Sequence, residues 1–206
     1  MILRSEEIAS LLEATNEQDP FVITPQPDVD KLRASGSAAI DLRLGTWLLQ
    51  LQQTKDSMLK LPQKGQRQTA DEPDLTRPFY VPLGRDFILH PRTFVLGVTL
   101  EWIRLPRKLA GYVIGKSSWG RRGLIIATAA GVHPGFTGCL TLELSNVGEM
   151  PIQIRSGLRI CQLFLHETKG EGEAVDESAQ VGFRKPILSK IRLDKIEEKL
   201  AEEPSL

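Results

Sequence analysis

Nine consecutive residues hold the densest polar chemistry in the chain. Gly115-Lys116-Ser117-Ser118-Trp119-Gly120-Arg121-Arg122-Gly123 carries three glycines, two hydroxyls and three cations between two apolar runs. Glycine lets backbone N–H groups come close to an anion, and Ser, Lys and Arg add donors in fixed directions. A di- or triphosphate would suit that set. The spacing is not that of a Walker A loop, which needs G-x-x-x-x-G-K-[ST]. The same residues also read as a solvated β-turn with surface cations, and chemistry alone leaves both readings open.

A second candidate lies in Leu140-Thr141-Leu142-Glu143-Leu144-Ser145-Asn146. Strand alternation puts Thr141, Glu143 and Ser145 on one face and the three leucines on the other. A mid-strand carboxylate among apolar neighbours must meet water, a cation or a substrate, and a half-enclosed one is a usable general base. Its structural alternative is pairing to a nearby Lys or Arg. Asp41, in Ile40-Asp41-Leu42-Arg43-Leu44-Gly45, reads as a structural side chain bonding local backbone N–H groups. His133 precedes Pro134-Gly135 and is either an acid–base group or a turn side chain. Cys139 and Cys161 are lone thiols in strand-like runs and read as core residues. The zinc-deaminase pattern, H-x-E with P-C-x-x-C, is not found, nor is a G-x-S-x-G elbow.

The elements that must position these residues are mostly short strands. Runs at 38–45, 87–89, 94–100, 109–115, 123–126, 139–144, 152–154 and 160–165 are each bounded by Gly, Pro or other turn-formers. Such spacing predicts an all-β sandwich or barrel. Residues 5–14 predict an amphipathic helix, with Ser5 as its cap and Ile8, Leu11 and Leu12 on one face. Leu193, Ile196 and Leu200 predict a second helix near the end. Residues 52–77 read as a polar surface excursion and 168–206 as a C-terminal extension of a single 1–206 domain.

Composition narrows the classes. Lys+Arg and Asp+Glu number 26 each, for a formal net charge of zero, which argues against a nucleic-acid groove binder. Two cysteines make no disulfide framework and fit a reducing cytoplasm. No run approaches the roughly 18 apolar residues of a membrane helix, and the first residues do not read as a signal peptide.

In combination the motifs resemble the dCTP deaminase family, grouped with the trimeric dUTPases. The likeness is carried by Gly115 to Leu124, Thr128-Ala129, Pro134-Gly135-Phe136-Thr137-Gly138 and Leu140 to Val147. Upstream it adds Met1 to Leu12 and Ile40 to Gly45, and downstream Pro151-Ile152 and Ser156 to Leu163. It spans roughly residues 1–165. It implies a distorted jelly-roll, the dUTPase-like β-sandwich, with short N- and C-terminal helices, in a homotrimer with sites between subunits. It further implies zinc-independent hydrolysis of dCTP to dUTP and ammonia, magnesium accompanying the triphosphate. By the family pattern Glu143 activates water, with Ser117 and Arg121 beside it in the catalytic set. Lys116, Ser118, Ala129, His133 and Gln162 fall at substrate-binding positions. His133 stands where the family usually has Asp, a departure that argues against a second step to dUMP. A bifunctional deaminase/dUTPase releasing pyrophosphate and a non-catalytic nucleotide-binding homologue are the competing readings.

Overall fold

The computed structural model describes residues 1–14, 18–52, 75–127, 131–169, 184–188 and 196–197. Helix α1 (Ser5–Glu13) buries Ile8, Ala9 and Leu12, as its apolar spacing requires. Its cap differs from expectation. Arg4 occupies the N-cap position, and its backbone N–H donates to Glu7 Oε2 at 2.8 Å. Ser5 lies one residue inside and is fully buried, with its N–H on Ser37 O at 2.7 Å. That backbone contact draws Ser5 inward, and its Oγ has no hydrogen-bond partner among the described residues.

Two small elements follow that alternation does not signal: strand β1 (Val22–Thr24) and helix α2 (Val29–Ala34). Helix α2 is capped by Asp28, whose side chain accepts from the Lys31 N–H. Then come β2 (Ala39–Leu51), β3 (Thr76–Tyr80), β4 (Asp86–Leu89), β5 (Phe94–Arg104) and β6 (Leu109–Gly115). One helical turn, α3 (Ser117–Gly120), precedes β7 (Leu124–Ala127) and β8 (Gly131–Val132). The described strands end with β9 (Thr137–Asn146), β10 (Ile152–Arg155) and β11 (Arg159–Glu167). All eight strand-like runs read from the sequence are strands.

The main sheet is antiparallel in the order β7-β9-β5-β2-β11-β6-β8, with β1 added to β5 and β3 to β2, while β4 and β10 form a separate pair. The sheet curls until its ends approach. A Cβ built on Gly115, at the end of β6, would lie 3.1 Å from Ile126 Cβ on β7. Inside the curl, Leu42, Leu44, Leu142, Leu144, Leu163 and Leu165 are all within 1% of full burial. The mainly β expectation therefore holds, with the core contributed by alternate residues of each long strand.

The 52–77 excursion is shorter than expected. The Gln52 N–H donates to Leu75 O at 2.9 Å, and Thr76 and Arg77 already belong to β3. Residues 53–74 lie outside the described residues, as does most of the expected final helix: of Leu193, Ile196 and Leu200 only Ile196 is described. Within the C-terminal extension, Pro186 is buried and Lys185 Nζ sits 3.9 Å from the Trp47 ring centroid. No helix among the described residues is long and apolar enough to cross a membrane.

Candidate functional site

Glu143 behaves as its strand alternation requires. Leu142 and Leu144 are fully buried, and Thr141, Glu143 and Ser145 are half-buried on the opposite face. Cross-strand pairing sets Pro78, Leu49, Leu96, Glu143 and Ala127 in one row across five strands. Directly opposed residues share a face, so the carboxylate stands between Leu96 and Ala127. Among the described residues its side chain has no ion pair or hydrogen bond. The alternative reading, a strand glutamate neutralised by a neighbouring cation, is not what these residues adopt.

The glycine-flanked segment adopts one helical turn where a β-turn was the structural alternative. The Arg121 N–H donates to Ser117 O at 3.0 Å, so Ser117 and Arg121 lie on one side of the turn. Arg122 Nη1 donates back to Ser118 O at 2.6 Å. Trp119 packs toward the core, and its Nε1 donates to Arg159 O at 3.3 Å. The turn closes at Gly123 with φ +88°, where a Cβ would lie 2.9 Å from Gly148 N. Only glycine fits that backbone approach. The side chains of Ser117, Ser118 and Arg121 make no hydrogen bond or ion pair among the described residues.

Asp41 is a correction. It bonds no local backbone N–H. Its Oδ1 accepts from Lys116 Nζ at 2.6 Å and from Gln162 Nε2 at 3.1 Å, and its Oδ2 from Arg159 Nη1 at 3.3 Å. Pairing explains the geometry: Asp41 faces Gln162, and Gln162 faces Ile114 two residues before Lys116. Lys116 and Gln162, two of the expected substrate-binding residues, thus meet on one carboxylate. Neither Asp41 nor Arg159 was among the expected site residues. The three donors come from residues 116, 159 and 162, and only the fold brings them to position 41.

His133 is exposed and opens a turn in which the Phe136 N–H donates to His133 O at 3.1 Å, with Gly135 at φ +79°. Ala129 lies outside the described residues. The two thiols are core residues as expected: Cys139 is 8% exposed and Cys161 fully buried. Burial, with Glu101 and Asp41 nearby, pushes the Cys161 thiol up to about 12. Among the described residues no three His, Cys, Asp or Glu side chains are grouped to hold a metal ion.

No hydrogen bond or ion pair among the described residues joins Glu143 to Ser117 or Arg121. Pairing gives a reason. Ile126, which abuts Gly115, is opposite Leu144 and shares its inward face. Glu143 points out of the other face of the same two strands. The glycine-flanked turn and the carboxylate are therefore not joined by any hydrogen bond or ion pair among the described residues.

The family model for dCTP deaminase-like proteins matches residues 2–168. A dCTP deaminase of Halorubrum lacusprofundi is 40% identical over 162 residues, covering 78% of this chain and 76% of that relative. A dUMP-forming dCTP deaminase of Dictyoglomus turgidum is 38% identical over 178 residues, covering 84% of each. Among solved structures, the 2′-deoxycytidine 5′-triphosphate deaminase of Agrobacterium tumefaciens superposes with a TM-score of 0.57 at 24% identity, over 80% of this chain and 46% of that one. That likeness is one of fold.

Proposed function

We propose that this chain, which belongs to the dCTP deaminase-like family, hydrolyses dCTP to dUTP and ammonia. The observation that carries the reading is the half-buried Glu143, set between Leu96 and Ala127 with no cation committed to it among the described residues. Such a carboxylate takes a proton from water as the oxygen attacks C4 of the cytosine ring. C4 becomes tetrahedral, and the same carboxyl returns the proton to the departing amine. One group does both transfers, each general acid–base step being worth roughly 10²–10⁴ in rate. Ser117 holds the attacking water, and Arg121 on the same side of α3 faces the nucleotide. Lys116, Ser118 and Gln162 take the triphosphate oxygens, with magnesium entering as part of the nucleotide complex. The Ala129 carbonyl and His133 line the base end. No zinc takes part in these steps.

Because no hydrogen bond or ion pair among the described residues joins Glu143 to Ser117 or Arg121 within one chain, the complete site in this reading forms between copies, in a homotrimer. The compartment that fits is the cytoplasm, where the substrate is made and used.

A second reading has a specific observation behind it. The Dictyoglomus turgidum relative and others at similar identity are dUMP-forming. His133 in place of the family's Asp opposes that further step here. One assay tests both: the protein is incubated with dCTP and magnesium, and dUTP, dUMP and pyrophosphate are resolved. dUTP alone is the expected product. dUMP with pyrophosphate would establish the bifunctional reading, and binding without product the non-catalytic one. Glu143→Gln should remove deamination and leave dCTP binding nearly intact; normal turnover in that variant would refute the mechanism.

A further inference from the structure

Asp41 is held by three donors, two from β11 and one from Lys116, the residue that precedes α3. Lys116 Nζ, Gln162 Nε2 and Arg159 Nη1 reach it at 2.6, 3.1 and 3.3 Å. Two cations gathered on one carboxylate leave the cluster with a net charge of +1. None of the donors is exhausted. An ammonium carries three N–H groups, a guanidinium five and a primary amide two. The three can therefore hold Asp41 and still present N–H groups outward.

Arg159 is aimed there by a backbone irregularity. In β11, Gln162 pairs with Asp41 and Cys161 with Leu42, yet Arg159 pairs with Arg43. Regular alternation would set Ile160 against Arg43, facing out. The extra residue instead lets Ile160 and Cys161 both turn inward, each fully buried, and it puts Arg159 on the face of Asp41 and Gln162. A bulge that re-aims one side chain in this way is a specific construction. Its backbone is then pinned to the anion-binding turn twice. The Lys116 N–H donates to Ile160 O at 3.0 Å, and Trp119 Nε1 donates to Arg159 O. The Arg159 side chain itself is 65% exposed, so its free N–H groups face solvent.

We propose that Arg159 is a further triphosphate-binding residue, and that Asp41 is the positioning residue that sets it beside Lys116 and Gln162. This deepens the deaminase reading and rests on it for the identity of the anion. The carboxylate stays in place when the triphosphate binds, because the donors have N–H groups for both. Asp41 keeps two repelling cations side by side and fixes their reach.

The test separates the anion cradle from the enzyme. In a Glu143→Gln background, binding of dCTP, dCMP and inorganic triphosphate is measured by calorimetry at fixed magnesium and low salt. Arg159→Gln is expected to weaken dCTP and inorganic triphosphate about tenfold, the loss of one charge-assisted hydrogen bond, and to leave dCMP unchanged. Arg159→Lys should restore part of the loss. Asp41→Asn should weaken the same two ligands, and the double variant should be little worse than either single one, since both act through the same donors. In turnover by the Glu143 enzyme, Asp41→Asn and Arg159→Gln should raise KM for dCTP with kcat unchanged. Equal affinities of Arg159→Gln and its parent for all three ligands overturn the proposal. An equal loss for dCMP also overturns it, since that is what general disruption of the fold would give. Binding of inorganic triphosphate that depends on Arg159, without binding of dCTP, would support the cradle and sink the nucleotide reading. Failure to bind any of the three sinks both.

Discussion

Replacing Asn146 by Ala should be among the more damaging single changes outside the candidate site residues. Asn146 is fully buried at the end of β9, three residues beyond Glu143. Its amide nitrogen donates to Leu89 O at 2.9 Å and to Met150 O at 2.8 Å, and its Oδ1 accepts from the Gly148 N–H at 2.9 Å. One side chain therefore ties β9 to the end of β4 and shapes the 147–150 turn. Truncation leaves two carbonyls and one N–H without partners. A buried group so stranded costs about 1–3 kcal/mol. The Leu89 bond is wholly buried and warrants about 2 kcal/mol on that scale; water can reach the other two, so about 1 kcal/mol each is reasonable. The sum is roughly 4 kcal/mol, and at about 2–4 °C per kcal/mol for a chain of this size the melting temperature falls by about 10 °C. Denaturant unfolding at one fixed protein concentration measures the change directly, any oligomer being held constant. A loss under about 1 kcal/mol would refute this reasoning, because values that small are typical of exposed positions.

Other changes follow from the same geometry. Gly123→Ala meets both a φ of +88° and a backbone nitrogen 2.9 Å away, whereas Gly84→Ala has φ +75° and nothing within 4 Å. Gly84→Ala should cost about 1–2 kcal/mol from backbone strain alone, and Gly123→Ala clearly more, with a raised KM for dCTP; equal melting temperatures would contradict the close approach. The Cys161 thiol, held up at about 12 by burial, binds its proton in the fold at pH values where the unfolded thiol has already lost it. Its contribution is complete below the unfolded value of about 8.5 and declines as pH rises toward 12, by the linkage sign for a raised group. Cys161→Ala should flatten that alkaline decline, and native protein should leave Cys161 unlabelled by a thiol reagent at pH 8 until denaturant is added.

The sequence was most readable where one face of a strand is wholly apolar. Leu140, Leu142 and Leu144 alternate with polar residues, so strand, facing and the exposure of Glu143 all follow from period two. The glycine-flanked turn offered itself as a candidate anion site because its donors are contiguous. Asp41 was misread because its partners are 75 to 121 positions away, and a carboxylate flanked by apolar residues looks the same whichever cations reach it. Arg159 was missed for a related reason: alternation in Arg159-Ile160-Cys161-Gln162-Leu163 would place the arginine with the buried residues. Strand β1 has three residues and depends on β5, about 80 positions on, so no local pattern announces it. The Ser5 cap failed because a backbone bond to Ser37 outweighed a local side-chain preference.

The extra residue at Ile160 also makes β11 a strand with two reading frames. From Cys161 onward, odd positions fill the interior; before the irregularity, an odd position looks outward. Deleting Ile160 alone would merge the frames with Arg159 still against Arg43 on the outer face, and would take one fully buried side chain out of the interior. A loss of one codon there would thus be felt as a cavity in the core, while the outward facing of Arg159 would survive it.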